Sequence, residues 1–147
     1  PSRDAIPDTM NPALGWRAWR ILPGGDPVID WDAIRVAEVI PESGVELIPD
    51  DSYILEHGFE RLHGVDFRKG CYVGQEVTAR MKHKTDLRKG LVRVAMEGRA
   101  PVGTEITVGG KPVGTLFTQS DGLGLAHLRL DRVDGMLEAG AARLCLD

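Results

Sequence analysis

The chain has 147 residues, 42% hydrophobic and 27% charged, the balance of an ordinary globular protein with one good core or two small ones. A net charge of −4 excludes a polycation that grips nucleic acid through bulk electrostatics. No run approaches the ~20 apolar residues of a membrane helix, and two cysteines without a CxxC pair exclude a disulfide framework or a cysteine-rich metal site and fit a reducing cytosol.

Residues 1–12 read as a loop, with Pro1, Pro7 and Pro12 and the turn-like Asn11-Pro12. There is no starting methionine and no signal-peptide apolar region. The alternation from Leu14 to Leu22 predicts a strand with Trp16 and Trp19 buried. Pro23-Gly24-Gly25-Asp26-Pro27 breaks it. Asp30 or Asp32 can then cap a helix running to about Ile40, with Ile34, Ala37 and Ile40 on one face. Pro41 ends that helix, and Gly44 follows in the turn. Arg35 lies on it, and a solvated helix arginine is the plain reading. Tyr53 to Leu62 predicts a short helix containing Leu55, Phe59 and Leu62. Its Glu56-His57 pair has no second ligand pair at metal-binding spacing, so both residues, and His63 after them, are read as solvated surface.

The sharpest local feature is Lys69-Gly70-Cys71-Tyr72-Val73-Gly74-Gln75-Glu76. Gly70 and Gly74 permit a tight backbone approach, and Gly74 to His83 is rich in helix formers. Cys71 then stands near a helix N-terminus beside Arg68 and Lys69, features that favour a thiolate over a thiol. The alternative is a cysteine buried in a turn. Phe67 is expected beneath the motif, with Gln75 and Glu76 capping or bracing its loop. Arg80, Lys82, Lys84, Arg88 and Lys89 follow, opposed by Asp86. They suit either a polyanion contact or a helix C-terminus with a solvated linker; the lack of interleaved aromatics favours the second.

From Gly90 the chain reads as short strands: Leu91 to Met96, Thr104 to Val108, Val113 to Thr118, Gly124 to Leu130 and Ala142 to Leu146. Gly109-Gly110, Ser120-Asp121-Gly122 and Leu137-Glu138-Ala139-Gly140 are read as turns between them. Such spacing predicts a small antiparallel barrel or sandwich, with Cys145 in its core.

Lys-Gly-Cys-Tyr-x-Gly-Gln-Glu, continued by Val77-Thr78-Ala79-Arg80-Met81, closely resembles the signature of the YgfZ-type folate-binding proteins. These are relatives of the aminomethyltransferase (T protein) of the glycine cleavage system. The transferases carry an acidic residue and Phe where this chain has Cys71 and Tyr72, so the cysteine points to the YgfZ branch. Leu14-Gly15-Trp16-Arg17 also resembles a family segment. So do Arg35, Pro41 and Gly44, although Val39 stands where glycine is usual and Ala37 where the transferases have glutamate. The resemblance implies an α+β chain: residues 1–86 as the C-terminal part of a partial α/β folate-binding-type domain, and 87–147 as a C-terminal β-barrel. It also implies a fragment that lacks the N-terminal folate-binding portion. The function implied is a tetrahydrofolate-binding accessory protein for iron–sulfur cluster assembly or repair, including clusters of tRNA-modifying enzymes. Cys71, with Lys69 beside it, would be its functional thiol, and Arg35 a wall of the folate cavity whose fork suits the cofactor's carboxylates. One cysteine cannot hold a cluster, so no stable metal is expected and Cys71 is a transient ligand or redox partner. The alternative is a folate-dependent one-carbon transferase. The partners implied are iron–sulfur proteins or their assembly machinery, without direct nucleic-acid or membrane binding, in the cytoplasm or, in a eukaryote, the mitochondrial matrix.

Overall fold

The computed structural model describes residues 5–18, 29–71, 73–84 and 87–147. It opens with a small antiparallel pair, β1 (Ala5–Pro7) and β2 (Trp16–Ala18), with Pro7 opposite Trp16. A strand therefore replaces part of the loop expected over residues 1–12. Pro7 is tolerated because a two-stranded ribbon leaves one side of each strand without a ladder partner. Trp16 is exposed, not buried as expected, because no third layer of described residues covers the ribbon. Trp19 and the 23–27 break lie outside the described residues.

Helix α1 (Trp31–Glu38) is capped as its sequence predicts: the Asp30 carboxylate accepts the Ala33 N–H at 2.9 Å. It stops at Val39, which adopts a left-handed conformation. The freed carbonyls of its last turn find donors elsewhere, Ala37 O from Arg93 at 2.6 Å and Val39 O from Arg61 at 2.7 Å. The helix expected over Tyr53–Leu62 is instead a chain of turns. Gly58 is left-handed with φ 75°, and the Glu56 carbonyl accepts the barrel's Leu91 N–H at 2.7 Å, so tertiary pairing has replaced the helical ladder. Helix α2 (Gln75–Lys84) follows the cysteine motif.

The remainder is a closed antiparallel barrel of β3 (Lys89–Glu97), β4 (Glu105–Val108), β5 (Lys111–Ser120), β6 (Leu123–Arg129), β7 (Leu137–Ala139) and β8 (Ala142–Leu146), in the order β3-β6-β5-β4-β7-β8. Gly109-Gly110 and Asp121-Gly122 make its tight hairpins, with positive φ at both residues of each pair. That conformation matches the right-handed twist of the flanking strands. Leu137–Ala139, expected to be a turn, is a strand bonded to β4 and β8; the turn proper is at Gly140.

Val94, Ile106, Leu116, Ala126, Leu128, Leu137, Ala139, Ala142 and Leu144 belong to the main core. Side chains alternate along a strand, so Ala142 and Leu144 inside put Arg143 and Cys145 outside. Cys145 is exposed, which corrects its expected place in the core. A second cluster joins Val36 of α1 to Leu91 and Leu125 on the barrel wall, which is why β6 is buried on both faces. At Gly114 a Cβ would collide with the His127 carbonyl, so β5 and β6 approach there only because position 114 has no side chain. Among the described residues no helix is long and apolar enough to cross a membrane.

Candidate functional site

Arg68, Lys69, Gly70 and Cys71 are all exposed, so the Cys71 thiol faces solvent and the buried-turn alternative falls away. Tyr72 lies outside the described residues. Gly74 adopts φ 85°, a conformation that favours glycine, and turns the chain into α2 at Gln75. The Asp66 carboxylate accepts the Arg68 N–H at 2.8 Å. That bond, with the charges of Arg68 and Lys69, holds the Asp66 carboxyl below its ordinary range. Glu76 pairs with Arg80 at 2.6 Å and so braces the helix, not the loop. Lys82 places its ammonium 5.4 Å from the Phe67 ring centroid and 2.7 Å from Glu60. Two of the five clustered cations are therefore spent on local pairs, Arg80 within α2 and Lys82 between α2 and the segment before it. No group of three or more His, Cys, Asp or Glu among the described residues stands ready to hold a metal ion. Cys71 offers one sulfur, and an iron–sulfur cluster as cargo would need its other ligands from a second molecule.

Arg35 is buried, which overturns the solvated-helix reading. Its Nη1 donates to Glu46 at 2.9 Å, and its Nη2 donates to Asp32 at 3.0 Å and Thr118 at 2.9 Å, with Glu42 at 3.1 Å. Burial works to lower its pKa, but the bond to Asp32 and the charges of Glu46 and Glu42 hold it above the ordinary value. Glu46 is itself buried and also accepts the Thr118 hydroxyl at 2.5 Å and the Glu42 N–H at 2.9 Å. The fork thus fastens α1 and the following loop to β5. A folate carboxylate arriving here would meet Asp32 and Glu42, and we derive no step through that cofactor at Arg35.

Glu56 and His57, read as solvated surface, are the largest departure. His57 is 3% exposed and donates from Nδ1 to the Tyr53 carbonyl at 2.9 Å. Its ring stacks on His127 of β6, with centroids 4.9 Å apart and planes 7° from parallel. His127 Nε2 meets the Glu56 carboxylate at 3.0 Å. Burial and the neighbouring His57 push the His127 pKa below its ordinary value, against the pull of Glu56. These rings border a cavity of about 420 Å³ with Asp51, Tyr53, Thr115, Lys89 and Arg129 around it. Sequence reasoning noticed the Glu-His pair but not His127, which lies 71 residues from Glu56. The spacing of Glu56 and His57 carried no signal of that partner. Glu46 was missed for the same reason, being 72 residues from Thr118.

Residues 88–147 match the family described as CAF17, C-terminal beta-barrel domain. The chain is 32% identical over 151 aligned residues to the human mitochondrial iron–sulfur cluster assembly factor IBA57, an alignment that covers 93% of this chain and 42% of that protein. The mouse protein of the same name is 32% identical over 90% of the chain and 41% of its own length. A Neurospora crassa homolog is 38% identical over 66% of the chain and 25% of its length. This chain therefore spans about two fifths of the length of the mammalian relatives. Its barrel matches the CAF17 C-terminal domain, and nearly its whole length is similar to mitochondrial iron–sulfur cluster assembly factors.

Proposed function

We propose that this chain belongs to a factor that assists the assembly or repair of iron–sulfur proteins, and that Cys71 is the residue that touches iron or sulfide in transit. The observation that carries the reading is the solvent-facing Cys71, presented at the mouth of α2 within a chain similar to cluster assembly factors. Its sulfur is a soft ligand suited to iron, and a single ligand suits hand-over better than storage. The partners are then iron–sulfur proteins or the machinery that loads them, including enzymes that modify tRNA, and in a eukaryote the site of action is the mitochondrial matrix. A tetrahydrofolate species is proposed as the cofactor of the longer protein. Its binding to this chain alone should be weak, and a tight one-to-one titration would relocate that site here.

The test is complementation of cells that lack the full-length protein, with wild type or Cys71→Ser, read as the activity of an iron–sulfur enzyme that modifies tRNA. Rescue by wild type alone supports the proposal. Rescue by both makes the motif a structural turn, and rescue by neither directs attention to one-carbon transfer.

A further inference from the structure

The cavity beside the His57–His127 stack lies on the outer face of the barrel, where Thr115 of β5 stands opposite His127 of β6. Two residues further along β6, on its other ladder, Lys89 of β3 stands directly opposite Arg129, and both line the cavity. Like charges in that relation repel across the strands. Arg129 also has a buried Nε without a hydrogen-bond partner, the nearest carboxylate, Asp131, being 3.6 Å away. Buried donors are ordinarily paired, so this guanidinium lacks part of its usual hydrogen bonding.

The carboxylates around the cavity do not supply it. Glu46 is turned to Arg35 and Thr118, Glu56 to His127, and Asp51 is exposed. About 420 Å³ is enough for a small metabolite. We propose that this cavity binds the carboxylate or phosphate group of a small molecule, held between Lys89 and Arg129. The two charges that now repel would then share one counter-ion.

The stacked imidazoles report on the event. Burial, His57 and the Lys89 charge disfavour a protonated His127, and an anion held beside Lys89 offsets that charge and favours the protonated ring. The groups facing the pair are Glu56 and Asp51 from the turns, Lys89 from β3, Thr115 from β5 and Arg129 from β6. Anion binding and proton uptake are therefore linked, and by reciprocity affinity rises as pH falls.

The test titrates inorganic phosphate, and separately succinate, into the 147-residue chain while imidazole ¹H–¹⁵N correlations are followed at about pH 6 and about pH 7.5. The expected result is saturable movement of His57 and His127, with the exposed His63 and His83 unmoved, and tighter binding at the lower pH. Saturation by phosphate alone identifies a phosphate ester, and saturation by succinate alone a carboxylate. Arg129→Gln should weaken binding about tenfold, roughly 1.4 kcal/mol. Lys89→Gln should raise the melting temperature without anion, because the repulsion is relieved, and remove the rise that anion gives to wild type. Linear, unsaturable shifts shared by all four histidines would overturn the proposal, as would a Lys89→Gln chain that still gains the full anion-dependent stabilisation.

Discussion

Glu46→Gln should be the most damaging single-atom change in the described part of this chain. The carboxylate it replaces is 1% exposed and accepts from Arg35 and the Glu42 N–H on one oxygen, and from the Thr118 hydroxyl and N–H on the other. A glutamine has one acceptor oxygen, so its NH₂ must face either Arg35 and Glu42 N–H or Thr118 N–H, donor against donor. Breaking a buried ion pair costs about 3–5 kcal/mol, because the remaining charge is left uncompensated. Arg35 keeps Asp32 and Glu42, whose side chains are 60% and 55% exposed, so the lower end of that range applies. About 3 kcal/mol in a chain of this size lowers the melting temperature by roughly 6–12 °C. The control is Glu42→Gln, which removes an exposed partner of the same arginine and should cost less than about 1 kcal/mol. Both are read by thermal and urea unfolding followed by far-ultraviolet circular dichroism. Equal melting of the two variants would refute the claim that Glu46 is what fixes Arg35 and α1 to β5.

Gly114→Ala should lower stability by about 1–3 kcal/mol, since its Cβ meets the backbone carbonyl of His127 and not a movable side chain; an unchanged urea midpoint would contradict the close approach of β5 and β6. The lowered pKa of His127 means that the unfolded chain holds more protons below its ordinary value of 6.5. The stability tied to this ring is therefore complete above that pH and is lost as pH falls through the lowered folded value. Unfolding midpoints measured across that window should fall for wild type and flatten for His127→Gln; a rise on acidification would show the sign to be wrong. Cys71 and Cys145 are both exposed, so both should be alkylated without denaturant. Cys71 should react faster, because Gly70 beside it presents no side chain while the Cys145 thiol lies 3.5 Å from the Leu146 carbonyl; peptide mapping that finds Cys145 faster would reverse the assignment of the accessible thiol.

What was legible in the sequence was what is decided locally. Asp30 caps α1 and the chain leaves the helix at Val39, just ahead of Pro41, because capping and proline geometry act within a turn. Gly109-Gly110 and Asp121-Gly122 announce hairpins because few residues tolerate positive φ. What was misread depends on partners far along the chain. Leu137–Ala139 is too short to show a period, and its strand character comes from pairing with β4 and β8. Tyr53–Leu62 has a helical spacing of apolar residues, yet the Leu91 N–H claims the Glu56 carbonyl and Gly58 turns left-handed. The exposure of Cys71 was one of two readings that its glycines and cations left open. The buried roles of Arg35, Glu46, Glu56 and His57 were not legible, since a charged side chain looks solvated until its partner arrives.

The same long-range contacts explain how the cysteine is presented. Residues 41–62 are held on the barrel at two places, through Glu46 to Thr118 and through Glu56 to His127 and the Leu91 N–H. Both use buried or half-buried charge, which is costly to break. Beyond Leu62 the character changes. The motif and α2 are joined to that base by the Lys82–Glu60 pair and the Lys82–Phe67 contact, and Val73 and Val77 stand exposed beside them. Exposed ion pairs contribute about 1 kcal/mol or less, so the Lys82–Glu60 pair adds little to the hold on α2, which also buries Thr78. On the function proposed above, a thiol that meets a second molecule is served by a fixed anchor: the barrel and its charged fasteners supply it, and the glycine-flanked motif carries Cys71 out to solvent.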